Sequence, residues 1–238
     1  MVGRILIKVA VTASSQEGVD GLTNTSKIKI NRLIDHTILR SDATFTDIKR
    51  YSDEAESCQF YALCVAPCWV ARAKPILQTA KLCSVAGFPL GSQTTKMKVF
   101  EIEELKNLGV DEIDVVASIG FIVSRDYKKV ENEIVELVKA KEDRILKVII
   151  ETPLLSKDMI EDMTRLLIAV GCDFVKTGTG FRGSVKVADV KAIARVAGKR
   201  IGIKAAGGIR TYRKAASLIK AGATRIGTST GVRIINAS

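Results

Sequence analysis

Two lysines at the ends of short apolar runs carry most of the chemical weight in this sequence. In "DFVKTGTGFRGS" (173–184) an apolar pair leads into Lys176 and then into a loop of Thr, Gly and Arg. In "RIGIKAAGG" (200–208) Lys204 holds the same place. Lysine is rarely buried unless paired, so one such residue alone would suit a structural ion pair. Two of them, with a carboxylate nearby, point to chemistry. A second ammonium disfavours charge on the first, and desolvation acts in the same direction. An amine freed of its proton attacks carbonyls and forms a Schiff base, whose iminium is an electron sink that needs no metal. Other polar groups sit in equivalent runs: Asp35 and Thr37, Cys64, Asp114 in "EIDVV", and Lys147 with Glu151 in "LKVIIETPL", which alternation predicts on one strand face.

Eight elements are needed to position these groups. Short, β-branched runs bounded by Gly or Pro occur at 32–38, 60–67, 81–89, 112–120, 146–154, 173–179, 200–208 and 225–230, and they read as strands rather than buried helices. Amphipathic stretches separate them. "TFTDIKRYSDEAESC" opens on Thr44 with Asp47 three residues on, a capping arrangement. "KDMIEDMTRLLIAVG" puts Met159, Met163, Leu166, Leu167 and Val170 on one face and can end at Gly171, and "TYRKAASLIKAG" runs from Thr211 to Gly222. Eight strand–helix units predict a (β/α)₈ TIM barrel in a single domain, residues 31–238, preceded by a short N-terminal extension, residues 1–30. No Gly-x-Gly-x-x-Gly follows the first strand, which argues against a dinucleotide fold. In such a barrel the chemistry sits at the C-terminal strand ends, where the candidates fall.

The last three loops, "TGTGFRG", "AAGGIRT" and "GTSTG", are rich in glycine and hydroxyls. Backbone N–H groups in such loops suit a phosphate. Tight-turn chemistry alone would also use these residues, but three such loops in succession favour a phosphorylated aldehyde or ketone as substrate.

Composition narrows the field further. The 238 residues carry a formal charge of +11, yet Lys and Arg are spread over helix faces among Glu and Asp, with no run interleaved with aromatics. A solvated surface and an anionic small substrate account for the charge better than nucleic acid does. Five cysteines without a Cys-x-x-Cys, and the single histidine His36, leave little to hold zinc. They read as reduced, buried thiols of a cytoplasmic protein. The apolar start is short and broken by Lys8, which argues against a secretory leader, and no run approaches the length of a membrane span.

The segments "LIDHTILRSDAT", "CSVAGFPLGSQTTKMKVFE", "EIDVVASIG", "LKVIIETPLL", "FVKTGTGF", "IKAAGGIRT" and "RIGTSTG" follow in order, over about residues 30–232, the motifs of the deoxyribose-phosphate aldolases of the DeoC family, which the chain resembles. The resemblance implies a class I aldolase that reversibly cleaves 2-deoxy-D-ribose 5-phosphate to D-glyceraldehyde 3-phosphate and acetaldehyde. It implies no cofactor and a homodimer or homotetramer. By motif, Lys176 matches the Schiff-base lysine, Lys204 the lysine that keeps it reactive, and Asp114 the acid/base carboxylate working with a water. Asp35 and Lys147 match the supporting network. Gly180, Gly207, Gly208, Arg210, Gly227 and Ser229 match the phosphate site. His36 is expected to point away from Asp35 and to be structural. The chain departs from the family at Gly178, Ala206 and Ala66 and lacks the asparagine after the valine pair in "VVASIG", which removes hydroxyl and amide groups near the site. Phe181 stands where some bacterial members have a phosphate-binding lysine. The chain closes on "VRIINAS" without the tyrosine of those members, which implies that water carries more of the proton transfer. The rivals are an aldolase of this class acting on another phosphosugar, a barrel isomerase with similar glycine loops, and a nucleic-acid-binding barrel.

Overall fold

Each apolar run folds as a strand whose alternate residues face opposite ways, so a single run serves two different interiors. The computed structural model describes residues 30–237. Eight strands follow in order: β1 (Ile34–Ile38), β2 (Ala62–Val65), β3 (Lys81–Ala86), β4 (Glu112–Val116), β5 (Ile145–Ile149), β6 (Phe174–Lys176), β7 (Gly202–Ala206) and β8 (Arg225–Thr228). Each pairs in parallel with the next, and β8 pairs with β1, closing the barrel. The helices between and after them are α1 (Phe45–Ser57), α2 (Val70–Ala73), α3 (Thr95–Asn107), α4 (Ile119–Val123), α5 (Tyr127–Lys141), α6 (Lys157–Ala169), α7 (Val187–Ala197), α8 (Tyr212–Lys220) and α9 (Gly231–Asn236). The expected (β/α)₈ barrel is therefore the fold.

The outward set of strand residues, among them Ile34, Leu63, Ile113, Val148, Val175, Ile203 and Ile226, joins the helices in one large apolar core. The inward set is different. Only Ala62, Cys64, Cys83 and Val85, from β2 and β3, form an apolar cluster there. Other inward positions carry the charges described below. Hydrophobic burial outside the barrel thus holds the frame in which those charges meet.

Local signals were largely obeyed. Thr44 and Asp47 form a reciprocal capping box at the start of α1. Thr211 caps α8 by accepting from the Lys214 N–H. Gly171, with φ +80°, follows the end of α6. The buried face of α6 is Ile160, Met163, Thr164 and Leu167, whereas Met159, Leu166 and Val170 flank it half-exposed; the expected stripe was rotated by part of a turn. The strands are shorter than the apolar runs, because the last residues of most runs already belong to the loops. The expected extension 1–30 lies outside the described residues apart from Ile30, which is buried in the core. Of the five free cysteines, Cys64, Cys83 and Cys172 are buried, but Cys58 is half-buried and Cys68 exposed, so the expectation of buried thiols holds for three.

His36 faces outward, as alternation predicts. Its Nε2 lies 2.7 Å from Glu54 Oε2, and its ring stacks on Tyr51 at 4.4 Å. Tyr51 in turn donates to the Ser229 carbonyl, tying α1 to the loop after β8.

Gly91, in the loop after β3, adopts φ +68°, and a Cβ there would sit 2.2 Å from the Ala117 carbonyl oxygen beyond β4. A Gly91→Ala substitution must therefore strain the backbone and separate these two loops. It should lower the unfolding free energy by about 1–3 kcal/mol, read as a drop in the urea midpoint.

Candidate active site

Lys176 ends β6, and its Cα pairs in register with Lys204 on β7, which pairs with Arg225 on β8. Across the barrel, Asp114 pairs with Lys147 on β5. Glu112 lies two residues before Asp114, and Asp35 lies on β1 opposite Gly227. All these side chains point inward and meet there. Asp114 Oδ2 lies 2.7 Å from Lys176 Nζ and 2.6 Å from Lys204 Nζ, and its Oδ1 lies 2.8 Å from Lys147 Nζ. Lys204 also reaches Asp35 Oδ2 at 2.5 Å, and Lys147 reaches Glu112 at 2.7 Å. Arg225 joins the two outer carboxylates, at 2.8 Å from Asp35 and 3.1 Å from Glu112.

These contacts form a closed ring of alternating charge: Arg225, Asp35, Lys204, Asp114, Lys147, Glu112 and back to Arg225. Lys176 hangs from the ring by Asp114 alone. The three lysines are therefore not equivalent. Lys147 and Lys204 each have two carboxylate partners, Lys176 has one, and only Lys176 of the three lines the cavity.

The electrostatics follow from this geometry. Burial would push the Asp114 carboxyl up, but Lys147, Lys176 and Lys204 together hold it well below the usual range. Burial opposes ionisation of Asp35 as well, and Lys204, Arg225 and Lys147 outweigh it. Burial alone would strip protons from Lys147 and Lys204; Asp114 and their second carboxylates reverse the effect and raise both. Lys204 is therefore held as a positive charge on the same carboxylate oxygen that Lys176 contacts. Cys83 Sγ lies 3.3 Å from Asp114 Oδ1, and burial pushes this thiol well above its ordinary value. Cys64, Cys83 and Asp114 bring three ligand-type atoms within 4.8 Å of one another, but the three ammonium groups on Asp114 oppose a cation there.

A cavity of about 370 Å³ opens at the C-terminal strand ends. All six residues expected around a phosphate, Gly180, Gly207, Gly208, Arg210, Gly227 and Ser229, line it together with Lys176, Thr37, Phe88 and Phe181. The loops are stitched to one another. The Val185 N–H donates to the Gly207 carbonyl, and Thr228 Oγ1 donates to that of Ile209. Glycine is required at two points for steric reasons. A Cβ at Gly227 would meet Lys204 Cε at 3.1 Å, and Gly208 has φ +65° with Ser184 Oγ 2.1 Å from a Cβ position.

Several expectations are corrected. Glu151 does not share a face with Lys147. β5 ends at Ile149, and Glu151 adopts a left-handed conformation with φ 55°. Its carboxylate accepts from the Thr179 backbone N–H and hydroxyl, holding the loop after β6 instead of joining the lysines. Gly178 and Ala66 lie outside the cavity lining, which Ala206 and Phe181 do join. A side chain at Gly178 would press on Glu151, 2.8 Å from a Cβ position. Ala117, after the valine pair, is buried in the outer core. Cys64 lies in the barrel interior without reaching the cavity lining. Three members of the cluster were missed altogether: Glu112, Arg225 and Cys83. Strand alternation was their available signal, since Glu112 is two residues from Asp114 and Arg225 two from Gly227.

Comparisons with known proteins agree with the fold. The sequence model of the DeoC/LacD family aldolases matches residues 30–237. A deoxyribose-phosphate aldolase of Thermococcus kodakarensis is 46% identical over 217 residues, 88% of this chain and 97% of its own. One from Streptococcus uberis is 44% identical over 212 residues, covering 88% and 96%. Among solved structures, the aldolase QR15 matches with a TM-score of 0.85 at 37% identity over 88% of this chain and 95% of that one. The tetrameric deoxyribose phosphate aldolase of Aeropyrum pernix matches with 0.80 at 31% identity, over 87% and 89%.

Asp114 neutralises three ammonium groups at the centre of the barrel. Asp114→Asn would leave them facing a neutral amide, and removing one partner of a buried charge cluster typically costs about 3–5 kcal/mol. Equilibrium urea unfolding at neutral pH should record a loss of that order.

Proposed function

Because the chain belongs to the DeoC/LacD family of aldolases, we propose that it reversibly cleaves 2-deoxy-D-ribose 5-phosphate through a Schiff base on Lys176. One observation carries the assignment: of the three buried lysines around Asp114, Lys176 alone faces the cavity and alone has a single carboxylate partner.

The proposed reaction begins with the open-chain sugar seated with its phosphate among the glycine-rich loops. Gly207 and Gly208 bring backbone N–H groups to that wall of the cavity, and Arg210 adds a positive charge. The Lys176 amine attacks C1, and loss of water gives an iminium. The Asp114 carboxylate, 2.7 Å from the Lys176 nitrogen, offsets the new positive charge and orients a water that takes the C3 hydroxyl proton. The C2–C3 bond then breaks. Its electrons pass to the iminium as an enamine, and D-glyceraldehyde 3-phosphate leaves. Protonation at C2 and hydrolysis release acetaldehyde and the free lysine. Lys204, pinned between Asp35 and Asp114, keeps a permanent positive charge beside this centre and favours the neutral amine on Lys176. Phe88 and Phe181 meet edge to face at 5.7 Å and wall one side of the cavity.

A related reading, an aldolase of the same class for another phosphosugar, is kept open by Ala206 and Phe181 in the cavity wall. The tetrameric relative supports a homo-oligomeric state, dimer or tetramer. Among the described residues no helix is long and apolar enough to cross a membrane, which fits the cytoplasmic location proposed for the enzyme.

Turnover of a panel of phosphorylated sugars tests the substrate, with 2-deoxyribose 5-phosphate expected to give the highest kcat/KM and a better substrate overturning that part of the reading. Lys176→Ala should abolish turnover, whereas near-wild-type rates would refute the assignment. Lys204→Leu should lower kcat by about 10²–10⁴-fold and move the pH optimum upward, because loss of the neighbouring positive charge favours the protonated amine.

A further inference from the structure

Arg225 has no place in the proposed reaction: it touches neither Lys176 nor Asp114 and does not line the cavity. It is nonetheless buried, only 5% exposed, and its burial requires elaborate support. The guanidinium lies 3.4 Å from the centroid of the Tyr61 ring and 5.4 Å from that of Phe174. Aromatic faces are favourable surroundings for a desolvated guanidinium. A cation that expensive to bury needs a reason, and its contacts supply one. Its Nη1 spans Asp35 and Glu112, two carboxylates that hold different lysines.

We infer that Arg225 is a positioning residue for the reactive amine, acting through two arms that converge on Asp114. One arm runs through Asp35 to Lys204, and the other through Glu112 to Lys147. This inference rests on the reading of Lys176 as the imine-forming lysine.

The physical argument concerns how charge is shared. Without Arg225, Asp35 would have Lys204 as its single cation and Glu112 would have Lys147. Both lysines would then be drawn toward the N-terminal end of the barrel and away from Asp114. Asp114, with less compensation, would hold the proton of Lys176 more tightly. The guanidinium prevents this because it cannot release its proton and can serve two carboxylates at once. Every charged group facing Arg225 takes part: Asp35 from β1, Glu112 from β4 and, beyond them, Lys204 and Lys147. Among the described residues, the other titratable groups near the ring are the Tyr61 phenol, whose ring lies on the guanidinium, and the Cys64 and Cys83 thiols. Cys83 touches Asp114 and Lys147, and its sulfur also lies within 4.8 Å of carboxylate oxygens of Asp35 and Glu112.

Opposite charges in the ring should therefore act with opposite sign on the same amine, which a purely structural role would not produce. The measurement is the pH profile of kcat/KM for 2-deoxyribose 5-phosphate, together with the pH dependence of borohydride trapping of acetaldehyde on Lys176. Arg225→Met keeps an unbranched side chain between the aromatic rings and removes the charge. Its acid limb should move up by roughly one pH unit, with kcat at neutral pH about 10²-fold lower and KM changed far less. Arg225→Lys restores the charge and should recover most of the shift. Glu112→Gln removes a negative charge and should move the acid limb down. It also serves as the deciding variant if Arg225→Met does not fold. Shifts of these signs support the inference. Profiles that superimpose on the wild type, or shifts of the same sign for both variants, would overturn it. If the wild-type protein itself takes no label on Lys176, it is the aldolase reading that fails; a labelled wild type with unmoved variants sinks only the role of Arg225.

Discussion

Three carboxylates and four basic side chains share the interior of this barrel, and that mismatch governs the rest. Asp35, Glu112 and Asp114 are closed into a ring by Lys147, Lys204 and Arg225, each cation touching two anions. Lys176 is the cation left outside the ring, attached at one point and turned toward the cavity. Buried charges are tolerated only when paired and hydrogen-bonded. The ring satisfies that condition for six groups and leaves the seventh held at a single point beside the cavity.

The fold makes such a cluster possible by separating two tasks along each strand. Outward residues pack under the helices in a continuous aliphatic core, which supplies the stability. Inward residues are thereby largely released from packing duty, and on the β2–β3 side they form a small apolar cluster. Replacing a buried ion cluster with well-packed apolar residues is often neutral or stabilising in proteins. Keeping this one is better understood as holding an amine and a carboxylate at fixed distance than as a contribution to stability. The glycines serve the same end: Gly227 leaves room for the Lys204 side chain to pass, and Gly91 lets the loop after β3 rest on the end of β4.

Much of this was legible in the residues. The strands announced themselves as short β-branched runs, and alternation correctly sent His36 outward and Asp35 inward. Lys176, Lys204, Asp114, Asp35 and Lys147 stood out because a charge within an apolar run has few bland explanations. Arg225 and Glu112 escaped notice because each opens its strand, where a charge reads as the solvated edge of the run. Their partners are also remote: Arg225 meets Glu112 across 113 positions and Asp35 across 190. No local pattern encodes such pairing. Glu151 was misplaced because alternation was extended past the end of β5 into a left-handed turn that periodicity does not foresee.

The central claim is that one lysine of three is chemically distinct. Incubation of the protein with acetaldehyde and borohydride, followed by peptide mass spectrometry, tests it directly, since reduction fixes an ethyl group wherever an imine has formed. The account predicts an ethyl group on Lys176, with Lys147 and Lys204 unmodified. A label on Lys147 or Lys204, or labels scattered over exposed lysines with none on Lys176, would contradict it.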